Sequence, residues 1–319
     1  MNNQAINFVI LAAGNGTRMK SNLPKIFHQV ANFTMLEIVA DVVAKVSKKY
    51  HDYKINKILI TSNHILEKYQ HLLPKDYQIV VQNNPQGTGH AMQIALPYLI
   101  KENSKTVMLY GDTPLITENK VIELIDLLES SDIAILGFNC RSKNDQYGRL
   151  IIDNSKVKEI IEYKDATEQQ RENRLCNSGL MSFHTKMLEQ FLPMIDNKNK
   201  NNEYYVVDVI KFANQNGHNI SLTMSDIDSI GVNNQIELAE ANKIMQKRIQ
   251  EKLMLSGVTI VDPENTFISY DAVIPSMVTI SPFVYIDRGI DLSGIVNGYK
   301  IKPFSKIDKD NCDNLLTSK

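Results

Sequence analysis

A largely apolar run over residues 6–13 breaks into Gly14-Asn15-Gly16-Thr17-Arg18 and, seven residues after that arginine, reaches Lys25 behind Pro24. The run reads as a buried strand that delivers the following loop to the edge of a sheet. Two glycines let backbone N–H groups approach an anion closely, and Arg18 and Lys25 add fixed positive charge. This is the pattern of a phosphate-handling loop, although a glycine pair after a strand also serves purely steric turns. The dinucleotide fingerprint is not met. Its third glycine would fall where Met19 stands, and the second strand, residues 58–61, runs into Ser62-Asn63 instead of an acidic residue. Neither a nicotinamide nor a flavin cofactor is expected.

The chain of 319 residues is long enough for about two domains. Its formal net charge of -1 supplies no field for wrapping nucleic acid or coating an anionic membrane, so an anionic partner must be met by local charge and a small ligand is favoured. The N-terminal apolar run is short and lacks a basic leader, so neither a signal peptide nor membrane insertion is expected, and cytoplasm is the expected location. Cys140, Cys176 and Cys312 have no paired ligand spacing, which points away from a disulfide framework and from zinc.

Up to about Ser225, short apolar runs alternate with amphipathic helical patterns. The implied fold class is α/β, with a mostly parallel sheet covered by helices. Strands are expected over residues 6–11, 57–61, 79–81, 107–110 and 133–138, and helices over 35–48, 89–99 and 118–128. Residues 235–255 carry helix-forming composition without a breaker and read as an arm joining two domains. Beyond Gly257 the period changes. Ile268, Ile274, Ile280, Ile286 and Leu292 recur every six residues, and Ile301 and Ile307 repeat the spacing after a slip. Six-residue aliphatic repetition is a β-helix signature, with irregular strands as the plainer alternative. The expected division is 1–230, 231–255 and 256–319.

Further segments place polar groups beside glycines or at strand ends, where ligands bind. In Gln82-Asn83-Asn84-Pro85-Gln86-Gly87-Thr88-Gly89-His90, Gln82 offers a donor and an acceptor to a pyrimidine edge, and the glycines allow close backbone approach. His90 reads as structural more than catalytic, and Thr88 doubles as a possible helix cap. Asp112, in Tyr110-Gly111-Asp112-Thr113-Pro114, emerges from an apolar strand. A hard carboxylate beside a phosphate-rich ligand suggests Mg²⁺, while a turn-forming role before Pro114 is the alternative. Tyr147-Gly148-Arg149, the segment from Glu162 to Thr167, and Asn177-Ser178-Gly179 each read individually as turns or surface ion pairs. Gly231-Val232-Asn233-Asn234 offers amide oxygens just before the helical arm.

Taken together and in order, LAAGNGTRMKSNLPK, QNNPQGTGHAMQ, YGDTPLI, YGRL, EYKDAT, NSG, NNEYYVVDVI and GVNN resemble the uridylyltransferase domain of the bacterial bifunctional N-acetylglucosamine-1-phosphate uridylyltransferase/glucosamine-1-phosphate acetyltransferase family, from residue 1 to about 255. The resemblance implies a Rossmann-like nucleotidyltransferase with a mixed, mostly parallel sheet, then a helical arm and a short left-handed β-helix. It implies that Leu11, Ala12, Ala13 and Gly14 contact the nucleotide, that Lys25 meets its phosphates, and that Gln82, Gly87 and Thr88 meet the uracil. Asp112 and Asn233 would hold Mg²⁺, and Gly148, Glu162 and Asn177 would meet the N-acetylglucosamine moiety above a floor of Tyr110 and Gly111. Arg18 would stabilise the departing pyrophosphate, so Arg18, Lys25 and Asp112 are the expected catalytic residues. The implied substrates are UTP and N-acetylglucosamine 1-phosphate, on the way to cell-envelope and peptidoglycan precursors. The hexad tail covers few of the family's coils, so acetyltransferase activity is expected to be absent and homo-oligomerisation is doubtful. Val206-Val207 replaces the family's usual Leu-Thr before Asp208. The rival readings are a nucleotidyltransferase for another sugar phosphate and a non-catalytic UDP-sugar sensor.

Overall fold

The computed structural model describes residues 4–14, 16–154, 156–225, 231–295 and 297–312. Two compact units emerge, and they interleave in sequence. The first comprises Met1–Thr17, Pro24–Ile26 and Leu36–Gly231; the second comprises Arg18–Leu23, Phe27–Met35 and Val232–Lys319.

The first unit is built on one mixed sheet. Its strands are β1 (Ala5–Leu11), β2 (Lys54–Thr61), β3 (Gln78–Val81), β4 (Ser104–Tyr110), β5 (Ile133–Asn139), β6 (Arg149–Asp153), β7 (Lys156–Ile161), β8 (Leu175–His184) and β9 (Ile220–Met224). They run in the order β9-β5-β8-β4-β1-β2-β3, with the β6–β7 hairpin attached through β8. All seven residues of β1 are buried, as a central strand covered on both faces requires. The polar Asn7 is tolerated there because its side chain is fully bonded: Nδ2 donates to the Ile100 carbonyl at 2.9 Å, and Oδ1 accepts from the Ile100 amide and from Asn56, both at 2.8 Å. β1 pairs in parallel with β2 and β4, and β3 extends the parallel run. β8 runs antiparallel between β4 and β5, which makes the sheet mixed.

Helices α1 (Met35–Lys49), α2 (Asn63–Tyr69), α3 (Thr88–Ala95), α4 (Glu118–Leu127), α5 (Glu168–Glu172), α6 (Thr185–Phe191) and α7 (Asp208–Gln215) fill the connections. The helix expected over 89–99 ends earlier, at Ala95, and gives way to a 3₁₀ turn at Leu96–Tyr98. Pro97 lacks the N–H that α-helical continuation needs. Val207, standing where a hydroxyl was expected, starts α7 without a side-chain cap.

In the second unit, α8 (Gln235–Leu255) is capped by Asn234, whose Oδ1 accepts from the amides of Ile236 and Glu237, both at 3.0 Å. Behind it the hexad aliphatics close into a parallel coil. Thr259–Ile260 pairs with Thr279–Ile280 and that with Lys300–Ile301, while Phe267–Ile268 pairs with Tyr285–Ile286 and that with Lys306–Ile307. The third face carries a parallel bridge between Val273 and Asp291. Ile268, Ile280, Ile286 and Leu292 are wholly buried. The slip falls between Leu292 and Ile301, and Ile280 and Ile301 still pair in register. A two-residue hairpin from the start of the chain, Gln29–Val30 with Phe33–Thr34, docks on this unit. The Ala31 carbonyl accepts from Tyr270 N at 3.0 Å, Asn32 accepts from Tyr285 Oη at 2.8 Å, and Asn242 of α8 accepts from Ala31 N at 2.9 Å. Among the described residues no helix is long and apolar enough to cross a membrane.

Ile286 faces its neighbours above and below in the coil, so truncation leaves a cavity that backbone ladders prevent from collapsing. Ile286→Ala should destabilise the second unit by about 2–5 kcal/mol. Phe304 is exposed but stacked on Phe283 with centroids 4.8 Å apart, so Phe304→Ala should cost only about 0.5–1.5 kcal/mol. Denaturant unfolding of the two variants checks the contrast.

Candidate active site

The register of β1 fixes where the loops leave the sheet. Leu11 lies opposite Ile60 on one side and Tyr110 on the other. The ladders run one step further, through Ala12 N to Ile60 O at 2.8 Å, Gly111 N to Leu11 O at 3.0 Å and Gln82 N to Thr61 O at 2.7 Å. The glycine loop, the Gln82 loop and Asp112 therefore leave from one carboxyl edge, the place where open α/β sheets bind ligands. Leu11, Ala12 and Ala13 are buried, so only their backbone can meet a ligand. A Cβ on Gly14 would meet nothing within 4 Å, which leaves that stretch of loop open. At Gly16, φ is +60° and a Cβ would stand 2.6 Å from the Cβ of Lys25. That close approach seats Lys25, whose ammonium forms an ion pair with Asp112 Oδ2.

The loop after β3 is clamped by a segment distant in sequence. Gly89 N donates to Tyr204 O at 2.7 Å, Tyr204 N to Gln86 O at 2.8 Å, and Val206 N to Thr88 Oγ1 at 3.2 Å. Gly87, at φ +101°, permits this, since a Cβ there would lie 2.5 Å from Tyr204 O. Thr88 is thus the first residue of α3 and a tether for residues 204–206, while Gly87 holds the cap position. Gln82, only 3% exposed, is held beneath the loop.

Tyr110, Gly148, Glu162 and Asn177 are brought together by β4, β6, β7 and β8. The β8 register shifts between Asn177 and Met181, forming a bulge. Within the bulge Gly179 has φ +91°, and a Cβ there would lie 2.5 Å from the Tyr110 ring. Asn177 N donates to Gly148 O at 2.9 Å, and Asn177 Oδ1 accepts from Gly179 N at 3.0 Å. A Cβ on Gly148 would stand 3.4 Å from Glu162 Oε1. Burial together with Glu162 and Asp112 raises the pKa of the Tyr110 hydroxyl, and the nearby Thr88 hydroxyl opposes that rise.

Arg149, which resembles a surface turn residue in the sequence, is wholly buried. Its guanidinium gathers the loop before it by donating to the carbonyls of Tyr147 at 2.5 Å, Lys143 at 2.8 Å and Asp145 at 3.0 Å. Gly148 is thereby fixed at the site. A cavity of about 420 Å³ adjoins Glu162 and is lined by Glu159, Asp165, Tyr205 and Asp208. Neither Arg149's burial nor this cavity was legible from residue type, because both depend on the β6–β7 hairpin meeting α7 and β8.

The second unit carries Arg18 and Asn233. Arg18 Nη2 donates to Asn233 Oδ1 at 2.8 Å, and Asn233 N donates to Glu237 Oε2 at 2.7 Å. Among the described residues no group of three or more His, Cys, Asp and Glu side chains gathers for a metal. Asp112 of the first unit and Asn233 of the second each carry a hard oxygen, the donor type that Mg²⁺ takes one or two of while water and substrate phosphates complete its shell.

Burial, with Asp165, Asp208 and Glu203 nearby, pushes the Glu162 carboxyl up to about 7, and burial pushes Asp208 up to about 6 despite Lys211. Both folded-state values lie above the ordinary carboxyl range. The protonated forms therefore favour the fold at low pH, and that contribution is lost as pH rises through the folded values. Glu162→Gln should stabilise the protein at about pH 8 relative to wild type and leave it little changed at about pH 4.5. Thermal unfolding at the two pH values measures this.

A profile of the MobA-like NTP transferase domain matches residues 8–180. The bifunctional protein GlmU of Bartonella bacilliformis is 35% identical over 302 residues, which are 94% of this chain and 66% of the relative. That of Alkaliphilus metalliredigens is 38% identical over 264 residues, covering 82% and 56%, and that of Wolbachia pipientis wMel is 33% identical over 308 residues, covering 96% and 68%. The chain thus spans roughly two thirds or less of most curated relatives named here. Among solved structures, a Bacillus anthracis protein named for glucose-1-phosphate thymidylyltransferase, determined with sucrose, superposes with a TM-score of 0.57 at 16% identity, covering 75% of this chain and 95% of its own. That likeness agrees with the mixed-sheet α/β nucleotidyltransferase fold. On its sequence, its fold and the match to most of its length, the chain belongs to the MobA-like NTP transferases and, among them, to the GlmU family.

Proposed function

We propose that this chain makes UDP-N-acetylglucosamine and pyrophosphate from UTP and N-acetylglucosamine 1-phosphate. The observation that carries the reading is the gathering of Tyr110, Gly148, Glu162 and Asn177 at the edge that also presents the glycine loop, Lys25, Asp112 and Gln82. One set has the polarity for a sugar and the other for a nucleoside triphosphate.

In this reading the sugar phosphate oxygen attacks the α-phosphorus of UTP in line and pyrophosphate leaves. The attacking phosphate is already ionised at neutral pH, so neither a protein nucleophile nor a general base is needed. The protein's task is to position two anions and offset their repulsion. Lys25 supplies charge beside Asp112, the N–H groups around Gly14 and Gly16 supply fixed dipoles, and Arg18 is assigned to the leaving pyrophosphate. Asp112 and Asn233 would hold Mg²⁺, which when bound neutralises phosphate charge. Leu11, Ala12 and Ala13 line the nucleotide through their backbone, Gly87 and Thr88 complete the uracil pocket around Gln82, and Gly111 lies with Tyr110 under the sugar. The product would feed synthesis of cell-envelope polymers.

A different sugar phosphate is the second reading, supported by the Bacillus anthracis fold neighbour named for another hexose phosphate. The deciding assay is Mg²⁺-dependent pyrophosphate release from UTP with N-acetylglucosamine 1-phosphate, glucose 1-phosphate, or glucosamine 1-phosphate plus acetyl-CoA. Release confined to the acetylated sugar is expected. Asp112→Asn should lower turnover by about 10²–10³ while the fold is kept, as loss of a preorganised charge does. Full turnover in that variant overturns the role given to Asp112. Gln82→Ala should relax the preference for UTP over CTP, and an unchanged preference counts against base reading by that side chain.

A further inference from the structure

We infer that His90 sets the base specificity of the nucleotide pocket by fixing which end of the Gln82 amide faces the ligand. The inference rests on the uridylyl reading above, in which Gln82 meets the base.

Gln82 Nε2 lies 3.3 Å from the Gly87 carbonyl oxygen and 3.1 Å from His90 Nδ1. A backbone carbonyl can only accept, so the amide nitrogen and not the amide oxygen must face Gly87. The second hydrogen of that same nitrogen then points at His90 Nδ1. That ring nitrogen must therefore be the bare acceptor, and a neutral His90 carries its proton on Nε2. Both donors of the Gln82 amide are consumed inside the protein. What remains is Oε1, to which no group among the described residues donates.

The consequence is a chemical filter. Set opposite ring N3, an amide that offers only an acceptor pairs with the N3–H of uracil and meets the lone pair of cytosine N3 with repulsion. A flipped amide would offer N–H outward and reverse the preference. Gly87 alone holds the orientation by one contact at 3.3 Å, at the long end of hydrogen-bond range. His90 supplies the shorter contact and the second acceptor that makes the flip cost two bonds. Its ring is in turn set beside that of Tyr204, with centroids 6.2 Å apart, on the segment that clamps Gly87 and Gly89. His90 is thus a positioning residue, acting through Gln82 and not on the reacting phosphates.

The test compares wild type, Gln82→Ala, His90→Leu and His90→Asn in UTP and CTP turnover. His90→Leu removes the acceptor; His90→Asn returns an acceptor oxygen at the place of Nδ1. His90→Leu should raise the KM for UTP about tenfold and cut the UTP-to-CTP ratio of kcat/KM by about the same factor, the worth of one hydrogen bond, with kcat for UTP nearly unchanged. His90→Asn should restore most of the ratio. A ratio that falls in Gln82→Ala but holds in His90→Leu overturns the role of His90 with base reading intact. A ratio that holds in Gln82→Ala overturns base reading and this inference with it. Independently of turnover, imidazole nitrogen NMR on the wild-type protein at neutral pH should show the proton of His90 on Nε2. A proton on Nδ1 overturns the inference whatever the substrate proves to be.

Discussion

The carboxyl edge of this protein depends on one constraint, the in-register pairing of β1 with a parallel neighbour on each side. Because Leu11 stands level with both Ile60 and Tyr110, the three strands end together, and each following residue adds one more ladder bond before its chain turns away. A one-residue slip would move every side chain of β1 to the opposite face and carry Asn7 away from its partners at Ile100 and Asn56. The buried asparagine therefore acts as a register lock. Its bonds are satisfied in one alignment only, and an unsatisfied amide in that core would cost several times what one good bond contributes.

A second layer of order comes from glycines that admit backbone where a side chain would intrude. Gly87 and Gly89 accept the segment around Tyr204, Gly16 accepts Lys25, and Gly179 accepts the ring of Tyr110. The contacts at Gly87, Gly89 and Gly179 join parts of the chain far apart in sequence, that at Gly16 closes a short loop, and in each case one of the two partners bears a candidate ligand group. The site is thereby attached to the sheet without depending on loop stiffness. Arg149 does the converse, reaching from a strand to hold a loop by its carbonyls.

The parallel sheet was legible because buried strands advertise themselves as apolar runs, and the coil was legible because a six-residue aliphatic period has few other uses. The site motifs were legible where glycine or a strand-end carboxylate marked them. Less legible was whatever depends on partners remote in sequence. Asn177-Ser178-Gly179 looked like a turn and is a bulge inside β8, and Arg149 looked exposed and is buried. The hairpin around Ala31-Asn32 gave little signal, since its two central residues take positive φ with only Asn32 of the type that favours it.

That hairpin carries an implication for how the chain is made. Residues 27–35 leave the ribosome among the first, yet the groups they bond, on Asn242, Tyr270 and Tyr285, are more than 200 residues downstream. The second unit has to be assembled around a stretch that has waited through synthesis of nearly the whole first unit, and closing so long a loop is slow. It follows that the coil and its helix, expressed from Val232 onward, would lack a built-in part of their own surface, and that supplying residues 18–35 as a separate peptide is the natural way to complete them.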